Sequence, residues 1–440
     1  MKLPIISQNR IFKSSRVFKS NRGFLIVEIM LAFSLFILFT ISMLTLYSSM
    51  HRLKIWSLKE LDKMKNLVMK IDNKIDLNST RYGNNTYLLN NELFRISQSD
   101  YINSWGRDSC NPRLVFDKNK YKYFSNGIDI EISNSSTDIE VRNDIVYLTA
   151  DSSISSKKDL YIIDAKDSKN LNVISSMNTG PGVSAIEVAG PYIFLAQIST
   201  INQMQVIDIH DRLNPKLISQ LKLPLPTATT TAPFASSIFY SNNYVFLGTE
   251  KWNGAEFSII SVLDIYNPVV VGVFETNTLI NDIYIYDQKA YLATSDEKQM
   301  RVLDISDKSN PRLIDSFSSS GWQTQQGKVI DYFEENIGLG RTVGGFNVKT
   351  NHESFLFSST SLISSKDITT GVYGMLIRLS NIFLLTHNLD HEFQILDHKL
   401  KDIIFDIPLF NNPVRMVCDK DSIFFATGDS KGLSILNLND

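Results

Sequence analysis

Cysteine is nearly absent from this chain: Cys110 and Cys418 are the 2 in 440 residues. That excludes a disulfide-stapled scaffold and a zinc centre built from cysteines alone. Net charge is small as well, at −2. The spacings that announce common chemistry are missing too. There is no His-Glu-x-x-His helix, no phosphate-cradling glycine loop and no Cys-x-x-Cys. Zinc-protease, nucleotide and dithiol chemistry therefore have no support in the sequence, and no cofactor or metal is expected.

What charge there is lies unevenly. Residues 1–23 hold Lys2, Arg10, Lys13, Arg16, Lys19 and Arg22 with no acid, so the rest of the chain carries −8. An acidic remainder gives no electrostatic footprint for nucleic acid. Behind the basic segment an apolar run opens at Phe24, and the 22 residues from Ile29 to Met50 carry no charge. That length spans a bilayer core as a helix, and the basic flank places residues 1–23 on the cytoplasmic side. An ordinary secretory signal is shorter and ends in a small-residue cleavage site. A plain signal anchor fits length and charge but leaves Glu28 unexplained, because a carboxylate in such a segment costs roughly 2.5–3.5 kcal/mol.

The stretch Arg22-Gly23-Phe24-Leu25-Ile26-Val27-Glu28 resembles the processing site of type IV prepilins and pseudopilins, a likeness that covers roughly residues 16–50. It departs from the family at Leu25, where Thr or Ser is usual. The resemblance implies cleavage after Gly23 by a prepilin peptidase, N-methylation of Phe24 and a role for Glu28 in filament assembly. It further implies partnership with other pilin or pseudopilin subunits and with the inner-membrane assembly platform. The physics agrees. Four residues place Glu28 about 6 Å along a helix from the freed amine of Phe24. A neighbouring subunit staggered by about one turn presents its own amine to that carboxylate, and the pair offsets a burial neither charge bears alone.

Residues 51–77 then place Leu53, Trp56, Leu61, Met64, Leu67, Val68, Ile71 and Ile75 at helical spacing, the pattern of an amphipathic stalk. Between 78 and 126, YLLNNELFRI and RLVFDKNKYKYF each read as a hairpin.

From residue 127 one pattern recurs seven times. Leu148, Leu195, Leu247, Leu292, Leu339, Leu384 and Phe425 follow one another at intervals of 41 to 52 residues. Apolar or aromatic residues stand two, seven and nine positions before each, with turn-like pairs such as Asn143-Asp144 between them. This is a strand, a tight turn and a strand. A third strand follows most copies and closes on an acid (YIIDAKD, QVIDIHD, SVLDIYN, RVLDISD, QILDHKL), and a fourth comes after an Asn-Pro turn in three of them. Seven units of four short strands predict a β-propeller. The units resemble LVIVD-type repeats over residues 127–440.

Several residues invite sharper readings. Asp164, Asp208, Asp264, Asp304 and Asp397 are expected to end strands by bonding backbone amides just ahead of them rather than to bind metal or substrate. His387, His391 and His398 cluster in sequence without a second ligand set. Cys418 occupies a core column and reads as a small buried apolar residue. A Cys110–Cys418 bridge stays open because this part of the chain is expected outside the cytoplasm.

The expected organisation is a basic leader (1–23), a transmembrane and stalk helix (24–77), a small connecting β region (78–126) and a propeller (127–440). The fold class is mainly β, a seven-bladed propeller head on a long N-terminal pilin-like α-helix. The last copy ends after its third strand, so IDIEIS, residues 128–133, is expected to supply its outer strand and close the ring. The chain is expected in the cytoplasmic membrane with its head outside, presented on a pilus or pseudopilus for an extracellular ligand or surface. A tethered propeller enzyme and a subunit that primes filament assembly are the alternatives.

Overall fold

Five to seven residues of β-branched and aromatic side chains, interrupted by pairs that tolerate left-handed backbone, make antiparallel hairpins rather than helices. The turns bear this out. Asn143 and Asp144 sit at φ 51° and 65°, Asn242 and Asn243 at 50° and 66°, and Asp287 and Gln288 at 41° and 64°. Two consecutive positive φ values define the turn whose twist matches that of the flanking strands. The equivalent turn in the fifth copy forces Glu334 and Glu335 to 45° and 71°, a conformation that costs L-residues roughly 1–2 kcal/mol each. Replacing Glu334-Glu335 by Asn-Gly should therefore stabilise the head by about 1 kcal/mol or more, read as a raised denaturation midpoint. An unchanged midpoint would show that the pair carries no strain.

The computed structural model describes residues 121–124, 135–151, 157–227, 231–319, 325–342, 352–358, 360–378, 381–387, 391–409, 413–428 and 432–438, with strand segments at 81–82, 86–89, 92–95 and 109–110. The chain divides into two compact units, Met1–Asp76 and Leu77–Asp440. The expected processing site at Gly23 and Phe24, the assembly acid Glu28 and the apolar run lie outside the described residues. The hairpin read in YLLNNELFRI is present as Thr86–Leu89 against Glu92–Arg95, with Arg81–Tyr82 as a third strand.

Seven sheets form the propeller, and in six of them the four antiparallel strands run in chain order from the axis outwards. Their innermost strands are Ser136–Arg142, Val183–Ala189, Ala235–Ser241, Ile280–Tyr286, Gly327–Phe333, Val372–Ile377 and Pro413–Lys420. Every residue of the leucine column, Leu148 through Phe425, is fully buried. The core lies between neighbouring sheets: Phe424, Ala426, Leu433 and Ile435 of the seventh blade pack with Ile139, Val141 and Leu148 of the first. No blade buries its faces alone, which is why the repeats stand or fall together. In the third blade the strand is Phe257–Ser261. Val262, Leu263 and Asp264 follow it, so Asp264 lies in the turn beyond rather than at a strand end.

Ring closure departs from expectation. The outer strand of the seventh blade is Lys122–Phe124, antiparallel to Leu433–Asn437 with Tyr123 opposite Leu436. Residues 128–133 fall outside the described residues. Chain length explains the choice. Elsewhere the path from an outer strand to the next innermost strand takes at least the five residues seen between Met177 and Val183. A strand ending at Ser133 would leave two residues before Ser136, reaching about 7 Å where three inter-strand spacings of about 4.8 Å must be crossed. Of the second expected hairpin, YKYF pairs with the far end of the chain, and RLVF lies outside the described residues. Tyr121 and Tyr123 pack against the cluster of Phe393, Phe425 and Leu436, and the Tyr123 hydroxyl donates to the Leu409 carbonyl at 2.5 Å. A fifth strand, Ser109–Cys110, runs parallel to Asp419–Lys420 at the inner edge of this blade. Cys418 is buried and disulfide-bonded.

Candidate functional site

The innermost strands surround a channel along the propeller axis, holding a cavity of about 110 Å³. Its polar groups follow from one register. Where each innermost strand begins, a short side chain reaches across to the next blade. Thr137 donates to the Val183 carbonyl (2.6 Å), Ser184 to Ala235 (2.7 Å), Ser236 to Ile280 (2.6 Å) and Asn281 to Gly327 (2.6 Å). Carboxylates complete the stitching. Asp138 accepts from the Ile186 amide and Asp282 from the Ile330 amide, each at 2.9 Å, and Asp331 accepts from Ile377 at 2.6 Å. These channel acids are consumed as inter-blade clamps. Near the opposite end of the strands, Arg142 pairs with Glu140 at 3.1 Å and Arg378 with Asp331 at 3.4 Å.

The series changes character in the last three blades. Where Thr, Ser and Asn stood, blades five and six place Lys328 and Tyr373, and the seventh blade adds Arg415 one residue further along its strand. The Lys328 ammonium donates to Asn281 Oδ1 at 3.1 Å, and Arg415 donates to the Tyr373 carbonyl at 3.3 Å. Both acceptors are neutral. Burial, with Arg415 nearby, holds the Lys328 ammonium below the usual lysine range. The Tyr373 ring lies flat on the His387 imidazole, centroids 3.7 Å apart.

A second polar series was not anticipated from the sequence. The residue directly before each third strand is Asp159, Gln203, Glu256, Gln299, Glu353 or Glu392 in blades one to six, all buried. Each accepts from a backbone amide of the loop that leaves its blade's outer strand. The donors are Thr179 (2.6 Å), Leu223 (2.9 Å), Thr276 (2.8 Å), Ser319 (2.9 Å), Ile368 (2.9 Å) and Leu409 (2.6 Å). The spacing from the leucine column varies with the intervening loop, which hides the series. Aligned on the third strands it is visible as one acid or amide per blade. Burial pushes Asp159 up to about 6 and Glu353 up to about 7, against the amide bonds that each accepts. Burial likewise brings Arg341, which donates to the His352 carbonyl at 2.5 Å, down to about 10.

The residues singled out in the sequence are dispersed. Asp164, Asp208 and Asp304 accept from amides two residues ahead at 2.8–2.9 Å, and Asp397 accepts from Lys401 and Asp402. Asp264 caps its turn through Tyr266 and Asn267. These acids hold turns. His387 stacks on Tyr373, His391 pairs with Asp406, and His398 lies exposed in a turn. The three share no centre. Among the described residues no group of three His, Cys, Asp or Glu is arranged for a metal.

No family model matches the chain, and no curated protein matches it. Solved structures do. A chain of the Mitotic Checkpoint Complex aligns with TM-score 0.52 and 11% identity, covering 74% of this chain and 95% of that one. The WD40 β-propeller domain of Doa1 aligns with TM-score 0.51 and 10% identity, covering 72% and 96%. BamB from Moraxella catarrhalis has TM-score 0.45 and 12% identity over 68% and 82%. At such identities the likeness speaks for architecture alone, and that architecture is the seven-bladed β-propeller.

Proposed function

We propose that this chain is a minor type IV pilin or pseudopilin subunit whose propeller is a binding head carried outside the cytoplasmic membrane. The observation that carries the reading is the stretch Arg22 to Glu28, with an acid four residues past the expected new terminus and a membrane-length apolar run behind it. The propeller supports the binding part. It is a rigid ring whose strand-end acids are spent on turns and whose channel acids are spent on inter-blade bonds, so function falls to its surfaces and channel. A head of this bulk suits a filament tip better than a packed shaft. The ligand is an extracellular surface or partner, and the chain acts as a binder rather than an enzyme. The disulfide at Cys418 suits an oxidising compartment. We assign its partner as Cys110, whose strand pairs with Lys420. That bridge fastens the connecting region to the seventh blade.

Mass spectrometry of the mature chain should find an N-methylated Phe24 terminus, and an intact Met1 or a cut near Ser48 would remove the pilin reading. Glu28→Ala should leave the membrane-bound pool intact while incorporation into filaments drops, because the substitution makes the span more apolar and removes the subunit pairing. Undiminished incorporation would reject the pairing. Deleting 121–440 while keeping the stalk separates roles: retained filaments with lost attachment support a binding head, whereas lost filaments support priming.

A further inference from the structure

We propose that Tyr286 and Tyr332 form an oxidative cross-linking site, at which a one-electron oxidant of the haem-peroxidase class joins the two rings as a dityrosine and welds the fourth blade to the fifth. The inference goes beyond the binding-head reading and does not depend on it.

Tyr286 ends the innermost strand of the fourth blade, and Tyr332 stands one residue from the end of that of the fifth. The two strands are pinned to each other. Asn281 donates to the Gly327 carbonyl, Lys328 donates to Asn281 Oδ1, and Asp282 accepts from the Ile330 amide. At the turn end of these strands the two phenol rings stack, with centroids 4.1 Å apart and planes 22° from parallel. Ring carbons at that separation are in van der Waals contact, so two ortho carbons need little travel to meet. Tyr240, in the column of Tyr332 but on the third blade, stacks instead on Phe194, which has no hydroxyl.

Exposure gives the two rings different roles. Tyr332 is 8% exposed and also meets Tyr284 and Tyr291, with centroids 5.6 and 6.1 Å away. Those three rings belong to the apolar core between the two blades. Tyr286 is 47% exposed. Packing therefore accounts for the inner rings and leaves the outer one unexplained. An exposed phenol is the one that an oxidant in solution reaches. Burial, with the Tyr286 hydroxyl beside it, holds the Tyr332 phenol above the usual tyrosine range. Tyr332 thus keeps its proton, and the first electron comes from Tyr286. The exposed side chain is also the one with room to tilt into the coupling geometry.

In the coupling, each phenol loses one electron and its hydroxyl proton and becomes a phenoxyl radical. A carbon–carbon bond forms between one ortho carbon of each ring. The hydrogen on each of those carbons then passes to the phenolic oxygen, which restores both hydroxyls. The two electrons and two protons removed reduce one hydrogen peroxide to two waters at the peroxidase haem. The product is a covalent loop between residues 286 and 332, across a boundary held by packing and by the hydrogen bonds of Asn281 and Asp282. A closed loop restricts the unfolded chain and so favours the folded ring.

The test treats dilute full-length chain in detergent with a haem peroxidase and hydrogen peroxide until Tyr266 is oxidised. Tyr266 is 61% exposed and reports that the oxidant has reached the chain. Dityrosine fluorescence from the monomer is expected, together with a peptide pair joined through Tyr286 and Tyr332 and lighter by two hydrogens. The linked chain should melt about 5 °C or more above the untreated one. Tyr286→Phe and Tyr332→Phe each keep a ring in place and should abolish that pair, whereas Tyr266→Phe should leave it intact. Absence of the pair from the folded wild-type chain would overturn the proposal, as would coupling that joins separate chains or other tyrosines in its place. A linked chain with an unchanged midpoint would likewise reject a weld between blades.

Discussion

A head expressed from residue 127 should unfold at far lower denaturant than one expressed from residue 109. The shorter chain lacks Lys122–Phe124, so the third strand of the seventh blade, Leu433–Asn437, becomes an open edge. It also loses Tyr121 and Tyr123, which pack against the sixth- and seventh-blade core, and the hydrogen bond from Tyr123 to Leu409. Burying two tyrosines contributes on the order of 2 kcal/mol each. With the buried hydrogen bond and the strand pairing added, the loss is about 5 kcal/mol, a large share of a typical stability of about 5–15 kcal/mol. The longer chain also retains Ser109–Cys110 on the inner edge of the same blade. Urea melts of the two proteins would decide the matter, with equal midpoints refuting closure by this strand. Tyr123→Phe isolates the hydrogen bond and should cost about 1 kcal/mol.

The second large effect is a loss of stability as the solution is made less acidic. Asp159 and Glu353 bind protons more tightly in the fold, at about 6 and about 7, than the ordinary carboxylates of the unfolded chain at 3.8 and 4.5. A raised value means that the contribution is fully present below the unfolded value and disappears as pH rises through the folded one. The head should accordingly weaken between about pH 4 and pH 8, by up to about 3 kcal/mol per group. Asp208 and Asp397 are shifted the opposite way, and their contribution is lost at the acid end, below the ordinary carboxylate range.

The sister blades supply the remedy. Gln203 and Gln299 stand where Glu353 stands and accept the same loop amide at 2.9 Å. Glu353→Gln should keep the Ile368 bond, flatten the decline between pH 5 and pH 8, and raise the melting midpoint at pH 8. Asp159→Asn should act likewise in the first blade over a lower window. Thermal melts across that range would contradict this account if the variants kept the wild-type slope.

Much of this head could be read before folding. The seven blades follow from columns at fixed offsets, because a strand of period two packed on both faces must place apolar residues at regular positions whatever its loops do. Turn residues such as Asn143-Asp144 were legible because few side chains accept left-handed backbone. The strand-ending acids were legible for a similar local reason. The buried series from Asp159 to Glu392 escaped because it is fixed relative to the third strand, while the loop before that strand varies in length. The closing strand was misplaced by a few residues, since apolar alternation alone marks IDIEIS as strongly as YKYF.

Sequence by itself determined the repeat, its number, the core columns and the turns, all properties of residues near one another in the chain. The tertiary structure alone decided which strand closes the ring, because that depends on how far a short linker must travel across four strands. It alone decided that the channel acids are clamps, since their partners lie 46 to 48 residues away on the next blade. And it alone brought Asp138, Asp282, Tyr373 and Arg415 around one cavity. They come from four blades, and no local pattern records that the ring's curvature turns them toward a common axis.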